Sequence, residues 1–163
     1  MNKQLAPELT VAALAEHQGK FLMIEERVNG VLVINQPAGH LENCETLVDA
    51  VARECFEESG WQFEATDLCS IFSWVHPRRN VTVVRFVFCG TALNHDPAAR
   101  LDDGVLRALW MTPNEIFAQR ARLRSPMVEQ AVRDYLDGKR FPLDLVTHID
   151  HPTLMERARR TAS

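Results

Sequence analysis

Cysteines are few in this sequence, and no two of them lie close together. The four cysteines among 163 residues are widely spaced, with no CxxC motif. Such spacing is typical neither of a structural zinc site nor of a disulfide framework. We therefore expect reduced thiols in a reducing compartment. The residues concerned are Cys44, Cys55, Cys69 and Cys89.

Long apolar runs and an excess of positive charge are also absent. No stretch approaches the roughly 20 apolar residues that span a bilayer. The first residues, MNKQLAPEL, lack the apolar core of a signal peptide. The formal net charge of −4 argues against a surface built to hold a polyanion. We expect a cytoplasmic protein that binds small charged molecules rather than nucleic acid or membrane.

The chain does have enough apolar material for one domain. Of its 163 residues, 46% are hydrophobic, which is sufficient to bury a single core. The patterned region covers about residues 9–145. Residues 146–163 are weakly patterned and end in a basic stretch, which is more typical of a solvated terminus than of a docking tail. Its arginines are Arg157, Arg159 and Arg160.

Short apolar segments between turn residues predict several β-strands. Segments 9–16 and 20–27 predict a strand pair joined by a short polar turn. The run VLVI at 31–34 predicts a short buried strand, which Pro37 and Gly39 terminate. Further strands are predicted at about 67–76, at 80–92 and before Trp110.

Three helices are predicted from their boundary residues and apolar faces. The first covers Glu45 to Ser59, with Asn43 as its cap and Gly60 after its end. Thr112-Pro113 opens a short second helix, and Ser125-Pro126 opens an amphipathic third helix that ends before Gly138. The apolar faces are Val48, Val51, Ala52 and Cys55 in the first helix, and Met127, Val128, Ala131, Val132, Tyr135 and Leu136 in the third.

The first helix carries three carboxylates on one face. Glu54, Glu57 and Glu58 stand at i, i+3 and i+4, which places them side by side. In isolation, such a triplet is more often an ordinary solvated surface. Here a glycine-containing loop precedes the helix, and hard oxygen ligands on a rigid helix suit Mg²⁺. The context therefore favours a metal site.

The segment that contains this face resembles the signature of the Nudix hydrolase family, G-x5-E-x7-R-E-U-x-E-E-x-G-U. Every fixed position of that signature is filled, so a chance match is improbable. The matching residues are Gly39, Glu45, Arg53, Glu54, Cys55, Glu57, Glu58, Gly60 and Trp61. The resemblance implies an α+β fold, an α/β/α sandwich around a mixed β-sheet. It also implies hydrolysis of diphosphate linkages.

The same resemblance assigns roles to residues of the signature. Glu54 and Glu58 are implied as the principal Mg²⁺ ligands, with Mn²⁺ able to substitute. Glu57 is implied as a further ligand or as the catalytic base, and Arg53 as the residue that orients the glutamates. Gly39 is implied to offer its carbonyl to the metal.

The catalytic base is an open question at this stage. Many family members place an acidic residue just before the strand that contains the equivalent of Trp110. Here the residues nearest that strand are GVLR, and the only acids are Asp102 and Asp103. We favour Glu57 as the base, with Asp102 or Asp103 as less favoured substitutes.

Segments outside the signature are similar to a bacterial phosphatase subfamily of the Nudix enzymes. They are NQPAGHLENCETLVDAVARE, SWVHP, VRFVF and LRSPMVEQAVRDY. This resemblance implies removal of phosphate from nucleoside tri- and diphosphates and from thiamine-pathway pyrophosphates such as hydroxymethylpyrimidine pyrophosphate and thiamine pyrophosphate. The alternatives are a pyrophosphatase of nucleoside triphosphates or sugar nucleotides, and a non-catalytic nucleotide sensor. Either a monomer or a homodimer is compatible with the sequence.

Three further residues are candidates for substrate binding. Arg85 interrupts an apolar row on a predicted strand, so it either binds a phosphate or forms a salt bridge with Glu25 or Glu26. Trp74 either stacks on a base or, as is more usual, belongs to the core. Arg124 either meets substrate phosphate beside a helix N-terminus or is an ordinary surface arginine.

Overall fold

The structure, a computed structural model, describes residues 6–149. The helices are α1 (Leu47–Ser59), α2 (Pro113–Ala118) and α3 (Pro126–Leu136). The strands are β1 (Glu8–His17), β2 (Lys20–Val28), β3 (Val31–Asn35), β4 (Ala38–His40), β5 (Trp61–His76), β6 (Val81–His95) and β7 (Val105–Met111). Across the described residues, no helix is long and apolar enough to cross a membrane. The predicted basic stretch at Arg157, Arg159 and Arg160 lies outside these residues.

The seven strands form one mixed sheet whose two halves diverge. Strand β1 pairs with β2 only beside their turn, at Glu16 with Phe21 and His17 with Lys20. Beyond that point β1 pairs in parallel with β6 and antiparallel with β4, and β6 continues to β5. Strand β2 instead pairs with β3 and β7. We refer to the region between the two diverging halves as the cleft; the chain crosses it between β3 and β4.

Tight turns join the first three strands. Gln18 and Gly19 have φ angles of 50° and 76°, and Asn29 and Gly30 have φ angles of 49° and 82°. Two successive residues with positive φ match the twist of a β-hairpin, and asparagine and glycine adopt this conformation at low cost. The predicted polar turn between segments 9–16 and 20–27 is therefore confirmed.

Helices cover both faces of the sheet. On one face, Val51 and Cys55 of α1 are fully buried against Val11, Ala13 and Phe88. On the other face, Val128 and Val132 of α3 pack against Leu14, Phe21 and Val87. Burial of apolar surface on both sides is the main stabilising term of such a layered fold. The predicted α/β/α sandwich around a mixed sheet is confirmed.

Helix α1 begins later than predicted, and its cap is a different residue. Thr46 occupies the N-cap, where its hydroxyl accepts a hydrogen bond from the Asp49 amide at 3.0 Å. Asn43 is three residues upstream and is exposed, so its assignment as the cap was wrong. Gly60 ends the helix with φ of 71°, as predicted. Val48, which was predicted to face the core, is 36% exposed. Ala50, which was not part of the predicted apolar face, is fully buried.

Helices α2 and α3 begin where the sequence predicts, but they are capped differently. Thr112 and Glu115 form a capping box at α2. Ser125 occupies the N-cap of α3 without any side-chain cap hydrogen bond. Leu136, at the end of the predicted apolar stripe, is 54% exposed because the helix leaves the core there.

Three strand predictions also needed correction. Val31 is 61% exposed because β3 lies at an edge of the sheet, so the run at 31–34 is buried only toward its end at Ile34. Strands β5 and β6 extend beyond the predicted 67–76 and 80–92, since their pairing runs from Trp61 with His95 to His76 with Val81.

Candidate active site

Of the three signature glutamates on α1, two face inward. Glu54 and Glu58 are 8% and 9% exposed, whereas the side chain of Glu57 is 39% exposed on the flank of the helix. The inward residues lie on the same side of α1 as Val51 and Cys55, so the packing that anchors the helix also holds them in place. The signature thus places its acids at the boundary between core and solvent.

Arg53 binds three of these acidic side chains at once. Its Nε and Nη2 donate to the Glu45 carboxylate at 3.0 and 2.7 Å. Its Nη1 donates at 2.9 Å to Glu54 and at 2.9 Å to Glu57. These bonds, that to Glu45 above all, raise the pKa of the Arg53 guanidinium above its ordinary value. The arginine therefore fixes the orientation of the glutamates in the way that the resemblance implies.

The two inward carboxylates lack full charge compensation. Burial raises the pKa of Glu58 to about 8, although its Oε2 accepts a hydrogen bond from the Ala38 amide at 2.7 Å. Burial also raises the pKa of Glu54, against the opposing effect of Arg53. Buried acids that repel one another favour either a proton or a cation between them. The charge distribution of this site thus fits a bound metal ion.

The backbone at Gly39 approaches the Glu54 carboxylate closely. Gly39 pairs with Val11 in the sheet, and a Cβ atom built on it would collide with the Glu54 carboxyl group. Any larger residue would therefore displace that carboxylate. The glycine of the signature leaves the room that the acidic side chain occupies.

A fourth acid joins the helix from a distant loop. Carboxylate oxygens of Glu54, Glu57 and Asp102 lie within 4.8 Å of one another. The Asp102 amide donates to the Glu57 carbonyl at 3.0 Å, which ties its loop to α1. Asp102, one of the two less favoured substitutes for the base, thus lies beside the carboxylates of α1 because its loop folds back onto the helix. Arg100, Leu101, Asp102 and Asp103 line a cavity of about 450 Å³ beside it.

This donor set fits a hard divalent cation. Clustered carboxylate oxygens are the ligands that Mg²⁺ and Mn²⁺ prefer. Glu58 lies on the same helix but is not a member of the group that gathers within 4.8 Å. Asp103 stays outside it as well, with a fully exposed side chain 3.8 Å from Arg100.

Arg85 lies in the cleft without a carboxylate partner. It is 8% exposed, its Nε donates to the Thr10 hydroxyl at 3.2 Å, and its Nη1 has no hydrogen-bond partner. The alternative of a salt bridge with Glu25 or Glu26 is not realised, since those acids pair with other arginines. Burial, together with the nearby charge of Arg124, lowers the pKa of Arg85 to about 10.

The other two predicted substrate residues differ in exposure, since Arg124 is exposed and Trp74 is half-buried. The Arg124 amide donates to the Ile34 carbonyl at 2.9 Å, and its Nη1 lies 3.8 Å from Glu26. Trp74 pairs with Val83 on the same face of the sheet as Arg85, and its ring lies 5.0 Å from that of His76. The indole is half-buried, so it is neither a full core residue nor a free surface residue.

Comparison with known proteins identifies the family of this chain. The model of the NUDIX domain family matches residues 6–131. The chain is 37% identical over 146 residues to Phosphatase NudJ of Escherichia coli strain K12, covering 90% of this chain and 94% of that protein. NudJ represents the bacterial phosphatase subfamily that the segments outside the signature resemble.

Solved structures of Nudix proteins show the same fold. A NUDIX hydrolase from Nitrosomonas europaea aligns with a TM-score of 0.88 and 40% identity, over 90% of this chain and all (100%) of that chain. A MutT protein from Methanosarcina mazei aligns with a TM-score of 0.68 and 21% identity over 84% of this chain and 99% of that chain, which shows the fold alone. The chain belongs to the Nudix family and is a hydrolase of phosphorus-containing anhydrides.

Proposed function

We propose that this enzyme hydrolyses phosphoanhydride bonds of nucleoside tri- and diphosphates and of thiamine-pathway pyrophosphates, releasing phosphate in a Mg²⁺-dependent reaction. The observation that carries the proposal is the cluster of Glu54, Glu57 and Asp102, oriented by Arg53. The similarity to Phosphatase NudJ supports phosphate release.

Glu54, Glu57 and Asp102 would hold the metal, with Glu58 and the Gly39 carbonyl completing the oxygen-rich side of the site. When bound, Mg²⁺ supplies neutralisation of phosphate oxygens and activation of water. The protein contributes the fixed geometry: Arg53 restrains the flexible carboxylates, and the Ala38 amide restrains Glu58. Preorganised charge of this kind stabilises a transition state more effectively than mobile charge.

Glu57 is the proposed base that accepts the proton of the attacking water. It is the most exposed of the three signature glutamates on α1, with 39% of its side chain exposed, and it therefore meets solvent directly. Arg53 holds its carboxylate at 2.9 Å. A base must lie within hydrogen-bond reach of the proton that it removes. Asp102 is the substitute, since its carboxylate lies in the same cluster.

Arg85 is the proposed ligand of a substrate phosphate. A buried guanidinium with a free Nη1 donor gains most from an anion, because burial has already removed its hydration. Arg124, whose charge acts on Arg85, adds a second cation on the same side of the cleft. The half-buried Trp74 offers an aromatic surface on which a heterocycle stacks.

A substrate screen with two phosphate assays tests the proposal. Purified enzyme is supplied with Mg²⁺ and with nucleoside di- and triphosphates, thiamine pyrophosphate or hydroxymethylpyrimidine pyrophosphate. Orthophosphate and pyrophosphate are quantified separately. We expect orthophosphate from each class, and none after chelation of the metal. Pyrophosphate as the main product would indicate a nucleotide pyrophosphatase instead, and binding without turnover would indicate a nucleotide sensor.

A further inference from the structure

Four buried side chains of the described residues carry a polar atom without a hydrogen-bond partner. The atoms are Asn35 Oδ1, Gln36 Oε1, Arg85 Nη1 and Ser125 Oγ. Buried polar groups in proteins are nearly always paired, so each of these atoms requires a partner from outside the chain. That partner is either an ordered water or a ligand.

These residues belong to segments that meet at the cleft between the two halves of the sheet. Asn35 and Gln36 lie where the chain crosses from β3 to β4. Gln36 Nε2 donates to the Val128 carbonyl of α3 at 3.0 Å, so the crossing is fixed against the first turn of that helix. Arg85 reaches the same region from β6, where it is affected by the charges of Arg124, Glu26 and Glu58. Asn35 and Arg85 are thus linked through Glu26, whose charge also acts on Glu58 of α1.

The orientation of the Asn35 amide is set by a neighbouring acid. Asn35 Nδ2 donates to Glu26 Oε1 at 3.3 Å. The opposite orientation would place the amide oxygen against a carboxylate oxygen, with no hydrogen between two acceptors. Oδ1 is therefore held away from Glu26 as an acceptor, and the Asn35 residue is only 4% exposed.

Two kinds of hydrogen-bonding group consequently meet in one cleft. Arg85 and Arg124 are donors that suit phosphate oxygens. Asn35 Oδ1 and the Glu26 carboxylate are acceptors, which repel phosphate but attract N–H groups. An amino group has two N–H donors and satisfies two such acceptors at once, whereas a hydroxyl has only one. A ring carbonyl in the same place would bring a third acceptor against Asn35 Oδ1 and the Glu26 carboxylate, with no hydrogen to share between them.

We propose that Asn35 is a specificity-determining residue whose side-chain carbonyl binds the exocyclic amino group of the substrate's heterocycle. This inference rests on the proposed function and narrows its substrates to amino-substituted rings. A site built to pair with a polar group discriminates strongly against an analogue that leaves its buried atoms unpaired.

Matched nucleotide pairs test the inference. ATP and ITP differ by an amino group in place of a ring carbonyl, and CTP and UTP differ in the same way. We expect kcat/KM to favour ATP over ITP and CTP over UTP by about tenfold or more in the wild-type enzyme. Asn35→Ala removes the acceptor and should bring both ratios close to unity, chiefly by lowering the values for ATP and CTP.

Two further variants act as controls. Asn35→Gln keeps both an amide donor for Glu26 and an acceptor carbonyl, and should retain a preference for the amino-substituted nucleotides. Asn94→Ala removes an exposed asparagine that bonds only Gln62 at the far end of β6, and its ratios should equal those of the wild type. Circular dichroism and Tm check that each variant is folded.

Equal kcat/KM for ATP and ITP in the wild type, or ratios unchanged by Asn35→Ala, would overturn the inference. An ordered water as the partner of Asn35 predicts that first result. A variant that changes only the ratio of ATP to dATP would place Asn35 against the sugar instead, and would overturn the inference as well. Absence of turnover with every nucleotide would contradict the proposed function itself, which distinguishes the two failures.

Discussion

Arg53 both offsets the negative charge of the acids around it and restrains the positions of their side chains. Four hydrogen bonds to carboxylates hold Glu45, Glu54 and Glu57 in fixed positions. Without the guanidinium, those acids would repel one another and gain rotamer freedom. The arginine therefore belongs to the site although it need not contact substrate.

Asp102 and Asp103 form a matched pair of neighbours. Asp102 lies in the carboxylate cluster, whereas Asp103 is fully exposed outside it. Asp102→Asn removes one cluster charge with little change of shape, so we expect the Mg²⁺ concentration that gives half-maximal activity to rise by about tenfold or more. Asp103→Asn should leave it unchanged. Equal Mg²⁺ requirements in the two variants would show that Asp102 does not take part in metal binding.

At the scale of elements, the position of α1 depends on its cap. The Thr46 hydroxyl accepts from the Asp49 amide, and Gly60 supplies the left-handed residue at the other end. Both ends are therefore fixed locally. The helix presents its acids at a defined depth because it can neither shift nor fray easily.

Substitution of the cap distinguishes the observed helix start from the predicted one. Thr46→Ala should lower the free energy of unfolding by about 1 kcal/mol, because it leaves a helix N–H without a partner. Asn43→Ala, at the exposed position first predicted as the cap, should have no measurable effect. Urea denaturation of both variants gives the comparison. A larger loss for Asn43→Ala would restore the earlier helix boundary.

Helix α3 depends on an acid with two arginine partners. Hydrogen bonds from Arg120 and then Arg133 lower the pKa of Glu129 to about 2. Because this pKa lies below that of the unfolded chain, the carboxylate stabilises the fold above the unfolded pKa. That contribution is lost as the pH falls through the folded value.

The lowered pKa of Glu129 predicts how the stability of the Glu129→Gln variant changes with pH. At pH 6 the variant should be less stable than the wild type, and the difference should shrink as the pH falls from about 4.5 toward about 2. Taking the difference between the two proteins cancels the titration of other acids. Glu64→Gln, an exposed substitution on β5, is the control. A difference that does not change with pH would contradict the assigned role.

At the scale of the whole molecule, the divergence of β1 and β2 creates the cleft. Helix α1 and the loop of Asp102 lie at its metal side, and Arg85 and Asn35 lie within it. Because helices cover both faces of the sheet, the buried polar side chains of Arg85 and Asn35 lie in the gap between its two halves.

The sequence predicted the acidic face of α1 far better than the surroundings of the cleft. Glu54, Glu57 and Glu58 share one helix, so their spacing alone determined that they would be neighbours. Asp102 joined them only through a loop that folds back, and no local pattern predicts such a contact. Asn35 was not singled out, because a strand pattern does not show which side-chain atom is left without a partner. Its hydrogen bond to Glu26 across the β2–β3 pair is visible only in the structure. The cap at Thr46 was missed because Asn43 offered an equally suitable side chain.

The most direct test of the account is Mg²⁺-dependent turnover of a nucleoside triphosphate by Glu58→Gln. This change removes a buried charge beside the metal site while it preserves the shape of the side chain. We expect the rate to fall by about a hundredfold or more, with Glu64→Gln at the wild-type rate. Wild-type turnover by folded Glu58→Gln would contradict the assignment of this helix as the metal site.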